Sequence, residues 1–372
     1  MITRLYIDNF RTLVDFEIKF DRTTLLMGPN GGGKSSILDV LRRLRQFNRG
    51  EGKAGSVFSN RDLSQVQLEH RDTQRFELDV KLSEGEMRYV LVIEFYEERS
   101  KCRVKEESLS DGEGPLFERK LEMVKQYRDD HGEGPAYPYD WSLSALSAIH
   151  ARPDNKKLTA FRRLLDRLVI AAISPSQMET RTREGEDAAV LSSRMENFVS
   201  WYLKLSHENM GSAGKLFDEL RLVLPDFSRF IFKDVGQGTK AFIVEFNSPY
   251  QPRPVTLYFS ELSDGQRVLI ALYTLVYGLG KEGLCIFLDE PDNFVMLREI
   301  QPWLAALLDK AGENFNQAVI ISHHPECINY LGNTRGRWLS RGKDGLTRIK
   351  EDIPVDGKGL ALSEIIASGW VE

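Results

Sequence analysis

Thr24-Leu25-Leu26-Met27-Gly28-Pro29-Asn30-Gly31-Gly32-Gly33-Lys34-Ser35-Ser36 is the stretch whose reading decides the fold. Thr24 to Met27 is apolar enough for a buried strand, and Gly28 to Ser35 matches the spacing GxxxxGK[ST]. From Ser35 to Arg45, residues Ile37, Leu38, Leu41 and Leu44 fall on one face at helical spacing, with arginines elsewhere. Strand, glycine loop, helix is the context a phosphate-binding loop requires. Glycines let successive backbone N–H groups turn inward onto phosphate oxygens, and the helix presents its positive end to them. On this reading Asn30, Gly31, Gly33, Lys34, Ser35 and Ser36 bind a nucleotide. Lys34 reaches the β- and γ-phosphates, and the Ser35 hydroxyl joins a Mg²⁺ shell. A chance glycine-rich turn is the competing account, and the flanking strand and amphipathic helix argue against it.

Three further pieces lie more than two hundred residues downstream, in a fixed order. Leu262-Ser263-Asp264-Gly265-Gln266-Arg267 opens a helical pattern through Leu269, Leu272, Leu275 and Val276, and Ser263 is placed to cap it. Leu284 to Leu288 reads as a strand buried on both faces and ends in Asp289-Glu290-Pro291. There Asp289 suits Mg²⁺, directly or through water, and Glu290 suits the polarisation of an attacking water. Adjacent carboxylates on a surface loop usually mean nothing; after a buried strand in a chain with a phosphate loop, they mean more. Val319-Ile320-Ile321-Ser322-His323 is another apolar strand that ends in histidine, with His324 as a confusable neighbour.

Taken in order, these motifs resemble the ABC-type ATPase superfamily. With the opening Leu5-Tyr6-Ile7-Asp8-Asn9-Phe10-Arg11, they resemble its SMC/RecF/OLD-like branch rather than transporter subunits. The implied fold is α/β: an ABC-type P-loop NTPase with a mixed central sheet, an N-terminal antiparallel β subdomain and a helical signature-motif subdomain. The resemblance implies ATP and Mg²⁺ as cofactors and a pair of chains that closes around ATP. It makes Lys34, Glu290 and His323 catalytic, with His323 as γ-phosphate sensor. It places Ser263, Gly265 and Gln266 against the γ-phosphate held by a second protomer. It gives Ser35, Asp289 and Gln177 to the metal. Gln177 follows the short strand Val169 to Ile173, where the family places a glutamine linking Mg²⁺ and water to the helical subdomain. Asp292 and Asn293 then lie near the dimer seam. The resemblance is dense over residues 1–45 and 255–330 and thin between them. Asp264 stands where transporters carry glycine, and Asp292-Asn293-Phe294-Val295 replaces their Ser-Ala-Leu-Asp.

The rest of the chain is expected to support this engine as a single domain over 1–372. Strands and phosphate loop occupy 1–60, a β/helical insertion 61–172, a helical subdomain ending in the signature 173–280, and the Asp-Glu and histidine strands 281–372. Strands are expected at Ile2–Ile7 and Val14–Phe20, at Phe76–Leu82 and Met87–Tyr96 about a turn at Gly85, and near Phe230, Ala241–Phe246 and Val255–Phe259. Phe47 to Asp62 reads as an exposed polar loop, 108–140 as an irregular insertion, and Glu179 to Asp187 as a mobile loop. Helices are expected over Ser142–His150 and Leu158–Leu168, and two more carry Phe198, Trp201, Tyr202 and Leu205, then Leu216, Phe217, Leu220 and Leu224. A hairpin over Arg337–Ile349 turns at Lys343-Asp344-Gly345.

Composition bounds the function. The 372 residues are 41% hydrophobic and 28% charged, with net charge −5, which gives no global pull towards nucleic acid. No apolar run approaches the roughly 20 residues of a membrane span, and the N-terminus lacks a signal-peptide core. Cys102, Cys285 and Cys327 are scattered, which excludes a disulfide framework and fits a cytoplasmic location. No long coiled coil, CxxC hook or C-terminal nuclease extension is legible. The chain therefore resembles compact ATPase subunits of bacterial anti-phage defence systems. The leading function is a nucleotide-driven switch, a homodimer or higher even-numbered oligomer, acting on a separately encoded nuclease or toxin. A RecF/SMC-like repair ATPase that binds DNA directly is the alternative. A transporter subunit and a non-hydrolysing scaffold rank below both.

Overall fold

The computed structural model describes residues 1–66, 71–183, 185–186, 188, 190–208, 213–248, 250, 252–278, 284–350 and 360–368. The described residues divide into two compact units, 1–168 with 335–350, and 169–334 with 360–368.

In the first unit, strands β1 (Ile2–Asp8), β2 (Phe16–Lys19) and β3 (Thr23–Met27) lead through the glycine loop into α1 (Lys34–Asn48) and the short α2 (Ala54–Val57). Then come β4 (Thr73–Leu82), β5 (Gly85–Tyr96), β6 (Lys101–Asp111), β7 (Pro115–Lys120), β8 (Met123–Tyr127), β9 (Glu133–Pro138), α3 (Ala145–Ala148) and α4 (Lys156–Asp166). Among the described residues, eight strands form an antiparallel sheet in the order β2-β1-β4-β5-β6-β7-β8-β9. Alternation sorts its faces. Leu5, Ile7, Phe76, Leu78, Tyr89, Leu91 and Ile93 are buried. An aromatic chain from Phe47 through Phe58 to Phe76 and Phe10, with ring centroids 5.5 to 6.1 Å apart, ties α1 to the sheet. The other face carries cross-strand ion pairs, Arg4–Glu17 at 2.6 Å, Arg4–Glu77 at 2.8 Å and Arg88–Asp79 at 2.7 Å, with Arg75–Glu77 at 2.8 Å along β4. Opposite charges facing each other across strands suit a face turned to water.

The second unit contains β10 (Leu168–Ala171), β11 (Arg181–Arg183), α5 (Phe198–Glu208), α6 (Ala213–Val223), β12 (Phe227–Asp234), β13 (Thr239–Phe246) and β14 (Val255–Tyr258). It continues with α7 (Asp264–Tyr277), β15 (Cys285–Asp289), α8 (Leu297–Lys310), β16 (Gln317–Ile321) and α9 (Pro325–Arg335). β10 neighbours β15, which pairs in parallel with β16, Asp289 opposite Ile321. Cys285 to Leu288 and Gln317 to Ile321 are all buried, as parallel strands require. Every residue of α7 from Val268 to Tyr277 is buried, and Trp303 of α8 donates its indole N–H to the Leu272 carbonyl at 3.2 Å. β11, β12 and β14 surround β13 in an antiparallel sheet, whose Phe230, Phe232 and Phe242 pack on Tyr202 of α5. The aromatic stripe of α5 is therefore packing surface. The chain then re-enters the first unit as β17 (Gly336–Arg341), parallel to β3, and β18 (Thr347–Lys350), antiparallel to β17; α10 (Leu362–Ala367) belongs to the second unit.

Several local expectations are corrected. The stretch 108–140 is not irregular, since it carries the end of β6 and all of β7, β8 and β9. Its inward rows are Glu107 opposite Arg119 opposite Val124, and Leu109 opposite Phe117 opposite Gln126. With Glu107, Arg119 and Gln126 facing inward, the polar–apolar alternation that announces a strand is erased. Phe47 to Asp62 is not an exposed loop: α1 runs to Asn48, α2 follows, and Phe47, Ala54, Val57 and Phe58 are buried. Of the helix expected over Ser142–His150 only Ala145–Ala148 forms. Within Glu179 to Asp187, Arg181–Arg183 is a strand, while Glu184 and Asp187 lie outside the described residues.

Candidate functional site

The glycine loop is shaped by its neighbours as much as by its own sequence. Gly28 has φ 135°, and a Cβ there would lie 1.9 Å from the Leu339 carbonyl oxygen of β17. Gly33, at φ 95°, would push a Cβ to within 2.6 Å of the Thr347 hydroxyl of β18. Thr347 is held in turn by Thr12, backbone to backbone at 2.9 Å and hydroxyl to hydroxyl at 2.8 Å. Gly33 is the N-cap of α1. It offers no side-chain cap, and the first turn of α1 carries no acid. A helix start with neither a side-chain cap nor an acid in its first turn is the electrostatic condition for an anion.

Lys34 is buried, and its ammonium donates to the Gly28 carbonyl at 2.7 Å and the Pro29 carbonyl at 2.9 Å. The charge is thereby folded over the loop. Asn30, Gly31 and Ser35 are exposed, and Gly33 and Ser36 are half-buried. The expected loop residues therefore sit together in the first unit. The Asn9-Phe10-Arg11 turn braces the same helix. Asn9 takes φ 61°, which asparagine tolerates, and its amide donates to the carbonyls of Arg71 and Thr73. Arg11 bonds Asp39 of α1 and Asp62, both at 2.9 Å.

In the second unit, Glu290 and His323 emerge from the ends of the neighbouring strands β15 and β16. Glu290 adopts φ 48°, a costly conformation for a residue with a Cβ and one concentrated at functional sites. Its N–H donates to the Ile321 carbonyl at 2.8 Å. Its carboxylate accepts from the Asn293 amide at 3.0 Å and lies 3.8 Å from the His323 ring nitrogen Nε2. His324 is engaged otherwise: its N–H donates to the Ser322 hydroxyl at 2.9 Å, and its Nδ1 accepts from the Glu326 N–H at 3.1 Å. Asp289 is half-buried at the strand end.

Ser263 caps α7 in a reciprocal box. Its hydroxyl accepts from the Gln266 N–H at 3.3 Å, and the Gln266 side-chain oxygen accepts from the Ser263 N–H at 3.0 Å. Gly265 lies close under the segment that follows Glu290, since a Cβ there would come within 2.8 Å of the Phe294 carbonyl. Gln177 ends a short 3₁₀ turn and accepts from Arg194 at 3.2 Å rather than from either strand-end residue. Its turn is fastened to the signature helix by Arg267, which donates to the Pro175 carbonyl at 2.8 Å.

Asn293 is the contact residue that sequence reasoning left without a chemical role. The signal was present in Glu290-Pro291-Asp292-Asn293, with proline at the second position of a β-turn; the Asn293 N–H closes it onto the Glu290 carbonyl at 3.2 Å. Nothing local announced Arg194 or Arg267. As to metal, the Ser35 hydroxyl and the Asp289 carboxylate are hard oxygen donors of the kind Mg²⁺ takes, so the residue types fit that ion.

The family described as "AAA domain, putative AbiEii toxin, Type IV TA system" matches residues 24–329, from the strand before the glycine loop to beyond the histidine strand. The chain belongs to this family. No curated protein matches the sequence. Among solved structures, the Pyrococcus furiosus Smc head domain with an extended coiled coil, bound to the C-terminal domain of ScpA, aligns over 99% of this chain and 98% of its own, with 12% identity and TM-score 0.52. An SmcHead bound to the C-winged helix domain of ScpA covers 94% of this chain and 97% of its own, with 13% identity and TM-score 0.51. These likenesses show the fold, that of SMC head domains: mixed α/β with an antiparallel sheet and helices. Among the described residues, no helix is long and apolar enough to cross a membrane.

Proposed function

We propose that this family member binds and hydrolyses ATP with Mg²⁺, pairs with a second copy around the nucleotide, and works as a switch for a separately encoded effector in anti-phage defence. Glu290 is the observation that carries the hydrolytic part. A carboxylate held at a strained backbone position, steered by Asn293 and facing His323, is built for a directional task. The loop amides and Lys34 hold the phosphates. Ser35 and Asp289 hold the metal, which neutralises phosphate charge when bound. Glu290 orients and polarises the attacking water, and His323 senses the γ-phosphate. Gln177 links the metal and water to the signature helix through its turn.

Pairing with a second copy is supported by an apolar strip after Glu290: Phe294, Met296 and Leu297 are 57%, 69% and 54% exposed. It adjoins Gly265, beside the cap whose Ser263 is assigned to the γ-phosphate of the other copy. The effector part rests on the resemblance to compact defence ATPases.

Glu290→Gln tests the carboxylate. The amide keeps the size and the Asn293 contact but loses the charge, so ATP binding is expected to persist while turnover falls by roughly 100-fold or more. Closed, ATP-loaded pairs should accumulate on size exclusion. Wild-type turnover in this variant removes Glu290 from the mechanism.

Mixed dimers test the pairing. Combining Lys34→Ala with Ser263→Arg chains yields one site bearing both defects and one bearing neither, so partial recovery over either variant alone is expected. A crosslink between the glycine loop of one copy and the signature of the other separates a failed trans arrangement from two obligately coupled sites.

For the effector, Glu290→Gln and wild-type protein are purified from the native host with and without ATP. A protein that co-elutes in one nucleotide state and not the other supports the switch. Tight, salt-sensitive duplex DNA binding that stimulates turnover, with no co-eluting protein, replaces it with direct action on DNA.

A further inference from the structure

Two of the residues assigned to the γ-phosphate of a second copy are already engaged with each other. Three contacts join Ser263 and Gln266 across the first turn of α7. The Ser263 hydroxyl accepts the Gln266 N–H at 3.3 Å and donates to the Gln266 side-chain oxygen at 3.2 Å. The same oxygen accepts the Ser263 N–H at 3.0 Å. A serine hydroxyl carries one proton. With that proton on Gln266, Ser263 has lone pairs but no hydrogen to offer an anion, and its N–H is occupied as well. The Asp264 and Gly265 N–H groups, at the first two positions of α7, have no carbonyl within the helix to bond. An anion arriving at this turn therefore meets open backbone donors beside a serine whose donors are taken.

The frame around the serine is fixed. The Arg267 N–H donates to the Ser263 carbonyl at 3.1 Å, and the Arg267 guanidinium holds the Asp264 carboxylate at 3.0 Å and the Pro175 carbonyl at 2.8 Å. From Val268 onward the helix is buried. Ser263 is exposed and Gln266 half-buried, so the Gln266 side chain can turn outward without unwinding α7.

We propose that Gln266 is a placeholder for phosphate: its side-chain oxygen occupies the Ser263 donors in the unpaired chain and swings away when the γ-phosphate of a second copy takes them. The exchange runs forward because a charged acceptor forms the stronger bond. It also sets a threshold, since each pairing event must first break the box. This inference rests on the trans role of Ser263 proposed above, and it makes the Gln266 side chain a competitor of the phosphate rather than a contact to it.

The test measures pairing of full-length protein by sedimentation velocity with Mg²⁺ and ATP, in the Glu290→Gln background so that bound ATP persists. Gln266→Ala removes the competing oxygen and is expected to lower the dissociation constant of the pair roughly 3- to 10-fold, the weight of one such hydrogen bond. It also removes half of the capping box, so the nucleotide-free chain should melt at a lower temperature. The variant is thus weaker alone and stronger as a pair. Gln266→Met keeps the length and the helix propensity without the amide oxygen, and should tighten pairing in the same way. Gln266→Glu keeps the box, which takes either residue, and should leave the melting temperature of the chain unreduced. Its carboxylate grips the Ser263 donors more strongly and repels phosphate, so the dissociation constant should rise by roughly 10-fold or more.

Pairing of Gln266→Ala or Gln266→Met that is no tighter than that of the Glu290→Gln protein, with native circular dichroism, overturns the proposal. Weaker pairing in all three variants makes Gln266 a direct phosphate contact instead. A Gln266→Glu chain that pairs unimpaired overturns it too. The underlying reading fails differently: if Ser263→Arg pairs as tightly as the Glu290→Gln protein, or if none of these proteins pairs with ATP, both fall. An unpaired Ser263→Arg beside an unaffected Gln266→Ala removes this proposal alone.

Discussion

Lys34→Ala is expected to abolish Mg²⁺-dependent ATP hydrolysis. The ammonium is the loop's own cation, held over it by the Gly28 and Pro29 carbonyls at 2.7 and 2.9 Å and shielded from water. Charge that develops on a transferring phosphoryl group then meets a preorganised positive group rather than solvent. Removing a single such donor costs roughly 10²–10³ in rate where it has been measured, and here the donor carries a full charge. Alanine suits the first turn of a helix, so α1 itself is expected to persist. The check is phosphate release from protein whose far-ultraviolet circular dichroism matches wild type, after removal of contaminating ATPases. Turnover within a few-fold of wild type ends the assignment of the loop.

The second large effect is on stability. Glu107 and Arg119 are both inaccessible to solvent, 3.8 Å apart, where β6 pairs with β7. Glu107 accepts from the Tyr89 hydroxyl at 2.9 Å, the Ser144 hydroxyl at 2.6 Å and the Ala145 N–H at 2.7 Å. Tyr89 and Ser144 in turn reach Asn48, the last residue of α1, at 2.9 and 3.0 Å. Arg119 donates to the carbonyls of Leu121, Asp140 and Leu143.

Glu107→Ala strands three donors and leaves a buried guanidinium without its counter-charge. Removing one partner of a buried pair costs about 3–5 kcal/mol. A loss of that size in a chain of this length lowers the melting midpoint by roughly 5–10 °C. Glu107→Gln keeps an acceptor for Tyr89 and Ser144 and should lose about half as much. A melting midpoint for Glu107→Ala indistinguishable from wild type disproves this account of the network.

How much of this was legible beforehand depends on where each interaction partner lies. The glycine loop and the buried Asp289-Glu290 strand announce themselves because their chemistry is local: a backbone conformation, a run of apolar residues, a pair of acids. The capping box of α7 was equally legible, since Ser263 and Gln266 are three residues apart. Glu107 and Arg119 were not. Each looks like a solvent-facing charge until β6 pairs with β7, and the network around them joins residues 41 and 96 positions apart in the chain. The same holds for Arg267 and Pro175, which meet across 92 residues. Short stretches reveal what the backbone must do. They do not reveal which charges it will enclose.

The approach of the glycine loop to the β17–β18 hairpin bears on how this family is to be recognised through its mutational record. Gly28 and Gly33 are denied a side chain by Leu339 and Thr347, whether or not nucleotide binding is under selection. A lineage that abandoned ATP would therefore still retain these glycines as long as the hairpin and the positive φ angles of the loop stayed. Lys34 is held differently, through its ammonium on the Gly28 and Pro29 carbonyls of the loop. Glycines kept beside a lost lysine would mark a chain that has preserved its architecture and discarded its fuel.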